Sequence, residues 1–506
     1  MSKNILVVLP YSGRAFGGGV AVFNEELCKA LGDDNDVKLL TFDLWNSTDQ
    51  KSINPSSGSH KAEIIYINDV TRRELANPRG DDAERAKLYD EINDPSILFA
   101  RDWAKDLGPE WKPDIIIGHS RFSGPAAIRI KQTLFPSAYV QYFLHSYPVE
   151  GTVLVGHKAY GEDIDQRTAA KKLEDERHWM AQADMIVPVG GLLRAGAKLL
   201  VGTHPVRIHE CIGGAEIHAI DERRAPDDGH FHLLFNGRAN APIKGLDDIL
   251  VAAGRLNVMA DEYAEKDKEK VKPFPTIDIH VRYWQEKTIT LGDAKKPGND
   301  PTNVDVNTVQ EYVDGTLRKL DGDKRPIPRK VSLKIHGISD NIMRDMLASH
   351  AVLMPSYIEH FGLVPGEALA LGVPVLMNEV SGAAFFFSDS KRFGDAGKAF
   401  VVPDFCERIS PSRPERFLDP GVVAVDAYEN RDEAWANAML DLVEHLGERI
   451  EQAAEIGRIL QKDYTWKHCA KALVAAAAIT YGSYPITQQG PGGSLWNEQS
   501  EPLTTT

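Results

Sequence analysis

The sequence predicts an α/β protein built from two doubly wound domains that face each other across a cleft. Short, continuous apolar runs recur along the chain between polar, helix-compatible segments, a pattern typical of buried strands in parallel sheets. With 506 residues, the chain exceeds one ordinary core and suits two domains of similar size. Both halves also open alike, with an apolar strand, a glycine-containing loop and a helix.

The composition is that of an ordinary globular protein, with 42% hydrophobic and 26% charged residues. A net charge of -15 argues against nucleic acid or an anionic membrane surface as a partner. We expect no signal peptide and no stable membrane insertion, and therefore a cytoplasmic location. The four cysteines have no zinc-type spacing and are expected to be reduced thiols. They are Cys28, Cys211, Cys406 and Cys469.

In the first half, the strand at 5–9 leads into Gly17, Gly18 and Gly19, and a helix follows with one apolar face. Amides of such a loop can approach a diphosphate, although a plain tight turn is the simpler alternative. A dinucleotide site is the weaker interpretation because the spacing is not Gly-x-Gly-x-x-Gly. Further strands are predicted at 37–42, 64–67, 115–117, 139–144, 185–189 and 206–212.

Two histidines, His119 and His145, close predicted strands of the first half. The carboxyl ends of parallel strands face the ligand crevice, which favours a functional position. For His119 a purely structural role is the stronger interpretation, and for His145 it is the alternative.

The second half begins with a strand at 231–235 and a loop that contains Gly237, Arg238, Lys244 and Gly245. Two cations on such a loop can hold a diphosphate, and the alternative is that they are solvated surface residues. Further strands are predicted at 276–283, 331–336, 351–354, 373–377 and 399–402. Helices are predicted at 246–256 and at 430–461, the latter capped by Asn430, and the charged run 261–270 is expected to be a solvated face.

The stretch 355–375 predicts a strand, a loop, a helix and another strand. Glu359 lies in the loop, and we expect Glu367 in the first turn of the helix. The amides of Phe361, Gly362 and Leu363 lie between the two carboxylates and suit a phosphate or a sugar hydroxyl. The alternative is that Glu367 complements the helix dipole and Glu359 is a solvated loop residue.

This stretch reads Glu359-x-Phe-Gly-Leu-x-x-x-Glu367-Ala-Leu-Ala-x-Gly-x-Pro-Val. The string resembles the signature of retaining glycosyltransferases of the GT-B fold, in particular family 4, also called glycosyl transferases group 1. Gly18-Gly19, the stretch from Lys112-Pro-Asp to His119, and Gly-Arg238…Lys244-Gly resemble further family motifs. Phe-Leu-His145 resembles a family strand end, but Ser146 replaces the usual acid.

The resemblance implies two Rossmann-like domains. Residues 1–215 form the acceptor-side domain, which is completed by a returning helix at 466–484. Residues 216–465 bind the nucleotide sugar and carry an insertion at 285–330, which contains one amphipathic helix. The composition of residues 485–506 predicts a disordered tail.

In relatives, two cations replace a metal ion at the leaving diphosphate. This role falls here on Arg238 and Lys244, and no metal or other cofactor is expected. Glu359 is expected to hold the sugar, and Glu367 is expected to hold the ribose. His145 is expected to lie over the transferred sugar, and His119 is expected on the acceptor side. The other donor-binding residues implied are Gly18, Gly19, Gly237, Ser339, His360, Phe361, Gly362 and Leu363.

The expected donor is a nucleoside-diphosphate sugar, with UDP favoured by the family. The sequence does not identify the acceptor, which is a small molecule, a glycan or a protein. It also leaves open whether the chain forms a homo-oligomer. Three alternatives remain: a phosphorylase of the same fold, a nucleotide-sugar epimerase and a non-catalytic binding protein.

Overall fold

The computed structural model describes residues 2–11, 19–46, 51–52, 61–67, 73–75, 82–147, 166–216, 220, 223–237, 244–266, 274–282, 330–337, 339, 341–357, 359–403 and 431–478. Strands and helices alternate and form two parallel sheets, which confirms the prediction of two doubly wound α/β domains. The predicted helix of the insertion, the cap Asn430 and the tail 485–506 lie outside the described residues.

The described strands are β1 (Asn4–Val8), β2 (Asp36–Thr41), β3 (Leu44–Asn46), β4 (Lys51–Ser52), β5 (Glu63–Tyr66), β6 (Arg73–Leu75), β7 (Ile115–His119), β8 (Tyr139–Leu144), β9 (Met185–Pro188), β10 (Arg207–Ile208), β11 (His230–Asn236), β12 (Thr276–Arg282), β13 (Val331–Ile335), β14 (Ala351–Met354), β15 (Val375–Asn378) and β16 (Val401–Val402).

The described α-helices are α1 (Gly19–Leu31), α2 (Asp82–Asn93), α3 (Pro95–Leu98), α4 (Ser120–Thr133), α5 (Gln166–Met180), α6 (Gly191–Val201), α7 (Leu246–Lys266), α8 (Ile342–Leu347), α9 (Leu363–Ala370), α10 (Gly382–Phe387), α11 (Ser390–Phe393), α12 (Arg431–Glu444), α13 (Leu446–Asp463) and α14 (Trp466–Ala478). None of them is long and apolar enough to cross a membrane.

The first sheet has the strand order β10-β9-β8-β7-β1-β2-β5, and all neighbouring strands are parallel. The chain reverses its direction across the sheet at β1, because β2 and β7 pair with opposite edges of that strand. Such a reversal opens a crevice beside the carboxyl ends of the two central strands, which here are β1 and β7.

The second sheet has the order β13-β12-β11-β14-β15-β16 and is also parallel. Its strands are apolar on both faces near the centre: Leu233 and Leu234 are both buried, but they belong to different cores. The core on the Leu233 side also contains apolar residues of α7 and α12. The reversal in this sheet falls between β11 and β14.

The last described helix, α14, returns to the first domain and packs against α1. Gln141 in β8 donates a hydrogen bond to the carbonyl oxygen of Leu473 at 2.9 Å. The thiols of Cys211 and Cys469 are free and buried, with Sγ atoms 2.8 Å apart, so this helix brings together two cysteines that are distant in sequence.

Several predicted boundaries are wrong, including the strand predicted at 206–212, of which β10 covers only Arg207–Ile208. Helix α7 continues to Lys266 because its charged end is rich in Ala, Glu and Lys, which favour helices. The predicted helix 430–461 is divided at His445, since α12 packs on α7 whereas α13 packs on α9. Part of the strand predicted at 399–402 is a 3₁₀ turn, Ala396–Phe400, which buries Phe400 before β16 begins.

Candidate active site

The carboxyl ends of β11 and β14 lie side by side at the reversal point of the second sheet. Strand β11 leads into Gly237, and β14 leads into the loop 355–362 that carries Glu359. Two segments 115 residues apart in sequence therefore meet at the place where open α/β sheets bind ligands.

Lys244 and Glu359 form the central ion pair of this site. The ammonium of Lys244 donates to Oε2 of Glu359 at 2.7 Å. The side chains of Lys244 and Glu359 are 22% and 24% exposed, so the pair is partly open to solvent and does not belong to the core. Two residues that the sequence predicts to be catalytic are thus in direct contact.

A buried group beneath the loop supports this ion pair. Arg431 donates to the carbonyl oxygen of Pro355 and to Oδ2 of Asp248, both at 2.7 Å. The hydroxyl of Tyr357 donates to Oδ1 of Asp248 at 2.6 Å, and the guanidinium lies 3.7 Å from the centroid of the Tyr357 ring. Burial, followed by the charge of Asp248, raises the pKa of Tyr357. Removing either Asp248 or Arg431 would leave the charge of the other residue buried and unpaired. The contact of Arg431 with Pro355 therefore holds the loop in place.

The loop after Glu359 depends on two glycines. Gly382 donates its N–H to the carbonyl oxygen of Glu359 at 2.8 Å, and a Cβ at this position would lie 1.7 Å from the carbonyl oxygen of His360. Gly362 has a φ of +79°, in the region that favours glycine, and a Cβ there would lie 2.8 Å from Cγ of Glu359. Side chains at either position would push Glu359 away from Lys244.

The predicted position of Glu367 in the first helical turn is wrong. Helix α9 begins at Leu363, after Gly362 as N-cap, so Glu367 lies in the second turn. Pro365 does not prevent this earlier start because a proline in the first turn lacks only an N–H that has no partner within the helix. Glu367 lines a small cavity between the domains, together with Glu26, Gly214 and Trp466.

The same loop also contacts the first domain. Nε2 of His360 accepts a hydrogen bond from the N–H of Tyr147, just beyond β8, at 3.1 Å. The Phe361 ring lies so close to Gly190 that a Cβ there would be 2.7 Å from it. His360 and Phe361 are both buried, with 6% and 7% exposure, so they join the domains.

Ser339 follows β13, at the edge of the second sheet. Its hydroxyl donates to Oδ2 of Asp345 and accepts from the N–H of Asn341 at 3.2 Å. Arg282 donates to the other oxygen of Asp345 at 2.8 Å. The structure therefore places Ser339 in a fixed polar array.

On the first-domain side, His119 and His145 form a chain of hydrogen bonds with Asn24 of α1. Nε2 of His119 lies 3.0 Å from Oδ1 of Asn24, and its Nδ1 lies 2.8 Å from Nε2 of His145. Burial lowers the pKa of His145 to about 3, and burial together with His145 lowers the pKa of His119 well below its usual value. In the neutral pair, His119 donates to Asn24 and accepts from His145.

Comparison with known proteins identifies the family. A family model described as "family 4 glycosyltransferase in conflict systems" matches residues 67–274 and 337–473, more than half of the chain. The chain belongs to this family. The resemblance stated from the sequence is thereby confirmed.

A curated relative and two solved structures illustrate how far the similarity extends. D-inositol 3-phosphate glycosyltransferase of Rhodococcus jostii is 30% identical over 164 residues, 31% of this chain and 29% of the relative, so the chain spans under a third of that protein. Sucrose-phosphate synthase of Thermosynechococcus elongatus has a TM-score of 0.58 at 15% identity, with 94% of this chain and 98% of that chain covered. A trehalose-phosphate synthase of Burkholderia xenovorans has a TM-score of 0.55 at 13% identity, with 96% and 100% covered. These likenesses confirm the GT-B fold.

Two predicted site residues of this glycosyltransferase, Gly18 and Arg238, lie outside the described residues. Their roles stay predictions, as do those of Gly19, which opens α1, and Gly237, which follows β11. Leu363 lies at the cavity that Glu367 lines.

Sequence reasoning missed four residues of the site. Asn24 is fully buried on helix α1. The sequence did contain a signal for it, namely a polar residue among the apolar residues of a predicted helix. Ser120 has a φ of +39° and links the two histidine strands, donating to the carbonyl oxygen of Phe143 and accepting from the N–H of His145, both at 3.0 Å. Asp248 and Arg431 are separated by 183 residues, and nothing in the sequence connects them.

The histidine chain predicts a specific dependence of stability on pH. Since the folded protein keeps His145 neutral down to about pH 3, only the unfolded chain binds this proton below its usual pKa of about 6.5. His145 therefore does not lower the unfolding free energy above that pH, and the unfolding free energy decreases as the pH falls below it. We expect His145→Gln to reduce the loss of unfolding free energy between pH 7.5 and pH 5 by about 2 kcal/mol.

Urea unfolding at both pH values measures this difference. His178→Gln, at an exposed position in α5, is the control and should retain the wild-type pH dependence. An equal loss in wild type and His145→Gln would contradict the prediction.

Proposed function

We propose that this glycosyltransferase is a retaining, metal-independent hexosyltransferase that moves a sugar from a nucleoside-diphosphate sugar to an acceptor. The observation that carries the proposal is the ion pair between Lys244 and Glu359, 2.7 Å apart at the reversal point of the second sheet. A cation and a carboxylate at this place match the two needs of the reaction, which are charge stabilisation on a leaving diphosphate and a hold on the sugar hydroxyls.

The ammonium of Lys244 serves the diphosphate in the proposed reaction. When the glycosidic bond stretches, negative charge accumulates on the leaving oxygen, and a cation already held in the crevice needs little reorganisation to meet it. Glu359 keeps Lys244 oriented before the donor arrives and accepts hydrogen bonds from the sugar once the diphosphate attracts the ammonium. Arg238, six residues before Lys244 in the sequence, supplies the second cation.

The other predicted residues complete the site. Glu367, which lines the cavity between the domains, accepts hydrogen bonds from the ribose hydroxyls. Neutral His145 lies at the first-domain wall, where an uncharged imidazole can contact the sugar without competing for the diphosphate. The leaving phosphate takes the proton of the acceptor on the face from which it departs, which retains the anomeric configuration.

Two structural neighbours support the choice of donor. A protein from Anabaena was solved in complex with UDP and glucose; it has a TM-score of 0.51 at 13% identity, and 94% of this chain is covered. The trehalose-phosphate synthase from Burkholderia is described as UDP-forming. We therefore propose a UDP-linked hexose as the first donor to test.

A donor panel tests the proposed function directly. The full chain is incubated with UDP-, GDP- and ADP-linked hexoses and a mixed set of sugar and polyol acceptors, and products are detected by mass spectrometry. We expect release of a nucleoside diphosphate and a product with the donor's anomeric configuration by NMR. Inversion would contradict the retaining mechanism, whereas sugar phosphate formed only with inorganic phosphate would indicate a phosphorylase.

Substitutions of the ion pair should affect turnover more than donor affinity. Lys244→Ala removes a cation that gains strength in the transition state, so we expect kcat to fall about a hundredfold or more. Glu359→Gln should also lower kcat, with a smaller change in KM for the donor. The matched control is Lys398→Ala, which breaks an exposed ion pair with Asp395 at 2.9 Å and should leave both constants unchanged. A Lys244→Ala enzyme with normal kcat on the true substrates would remove Lys244 from the proposed mechanism.

Metal independence makes a separate prediction. The two loop cations, and a sequence without a convincing Asp-x-Asp loop, lead us to expect that initial transfer rates persist in EDTA. The assay compares rates before and after chelation, at a temperature well below the melting point. Loss of activity that magnesium or manganese restores would contradict this part of the proposal.

A further inference from the structure

The second sheet carries a polar patch on one face of β11, β12 and β13. Alternate residues of these strands point to opposite faces, and the residues on one face are apolar and buried against α7 and α12. On the other face the strands place His232, Asp278, His280, Ser332 and Lys334. A row of imidazoles beside a buried carboxylate is unusual in a sheet that is apolar at its centre.

Three of these side chains converge. Nδ1 of His232 lies 3.0 Å from Nε2 of His280. One ligand atom from each of His232, Asp278 and His280 lies within 4.8 Å of the other two. Ligand atoms around a tetrahedral ion with bonds of about 2.0–2.1 Å lie roughly 3.3 Å apart, so only small side-chain movements are needed.

The outward-facing nitrogens of both imidazoles already have partners. Nε2 of His232 lies 2.9 Å from Oδ2 of Asp228, and Nδ1 of His280 lies 3.0 Å from Nε2 of His336. A carboxylate or another acceptor on the far nitrogen of a ligating histidine fixes its tautomer and orientation in metal sites. With these partners, both imidazoles can present a lone pair to the same point.

Asp278 is held in a similar way. Its Oδ1 accepts from the hydroxyl of Ser332, and its Oδ2 lies 3.0 Å from Nδ1 of His230. The side chain has 8% exposure, so its orientation is fixed before any ion arrives. His350 does not belong to the group of three, and its Nδ1 accepts the backbone N–H of His232 at 2.9 Å.

Two of the three side chains, His280 and Asp278, have shifted pKa values. Burial, followed by the charges of His232 and His336, lowers the pKa of His280 to about 4. Burial alone would raise the pKa of Asp278, but the hydrogen bond from Ser332 and the charge of Lys334 bring it below its usual value. A neutral imidazole and an ionised carboxylate are the forms that bind metal ions.

We propose that His232, Asp278 and His280 bind one divalent transition-metal ion, with zinc as the best match, and that this ion fastens β11 to β12. Two imidazoles and one carboxylate suit zinc and the other divalent ions of the first-row transition metals, whereas magnesium and calcium prefer oxygen ligands alone. Water completes the tetrahedron. The proposal rests on this cluster and not on the proposed transferase function, since none of the three residues belongs to the Lys244–Glu359 site.

Metal binding by the full chain, made without a histidine tag and stripped with chelator, tests the proposal. We expect one equivalent of zinc by equilibrium dialysis and elemental analysis, and a higher melting temperature with zinc than with magnesium. Cobalt added in place of zinc should give the intense visible absorption of a tetrahedral site. Micromolar or tighter binding at one equivalent is required.

Variants separate the ligands from their neighbours. His280→Gln and Asp278→Asn should weaken zinc binding by about a hundredfold or more. Asp228→Asn changes no ligand but alters the partner that Asp228 offers to His232 and to the backbone N–H of His230, and it should weaken binding by roughly ten- to a hundredfold. Because the Asp228 side chain is 60% exposed, that variant should fold even if a ligand variant does not. The control is His445→Gln, whose imidazole lies 3.0 Å from Asp441 but which, within the described residues, belongs to no three-ligand group.

Three results would overturn the proposal: wild type that binds zinc only at millimolar concentration, magnesium binding as tightly as zinc, or His280→Gln and Asp228→Asn that both bind like His445→Gln. Each readout is metal binding or melting, so failure here would leave the transferase proposal unaffected. Failure of the donor panel would likewise leave this site untouched.

Discussion

The loop from Pro355 to Leu363 has to satisfy several contacts at once, and the candidate site depends on that constraint. Its first carbonyl is held by Arg431, Glu359 pairs with Lys244, and His360 accepts from Tyr147 of the other domain. Only a backbone with glycine at 362 and 382 can pass so close to its neighbours. Because interiors are packed as densely as crystals, a shift at any one of these contacts would be felt at the others.

Local sequence was sufficient to predict most of this loop. An apolar run of four residues gave β14 with the right bounds, and the combination of two glutamates, glycines and prolines identified the family. The start of α9 was harder, because Pro365 and Gly366 disfavour helix interiors yet fall in the first turn, where that penalty is small. Propensity alone does not say which turn a residue will occupy.

Contacts between distant segments could not be predicted from spacing. The support from Asp248 and Arg431, the chain of Asn24, His119 and His145, and the cluster of His232 and His280 each join residues that only the tertiary structure brings together. In particular, β11 and β12 are separated by a long helix, so no short motif of metal ligands exists to be recognised. Strand register decides which side chains of β11 and β12 become neighbours, whereas the packing of helices α7 and α12 joins Asp248 to Arg431.

The returning helix α14 has a consequence for how the protein is made. A ribosome releases the strands of the first domain early, but α14, which packs on α1 and binds β8 through Gln141, follows about 250 residues after the end of that domain. At typical rates of synthesis this delay is roughly ten to fifty seconds. During that interval the nascent first domain exposes the apolar surface that Leu473 later covers, so its core is complete only after the second domain has been synthesised.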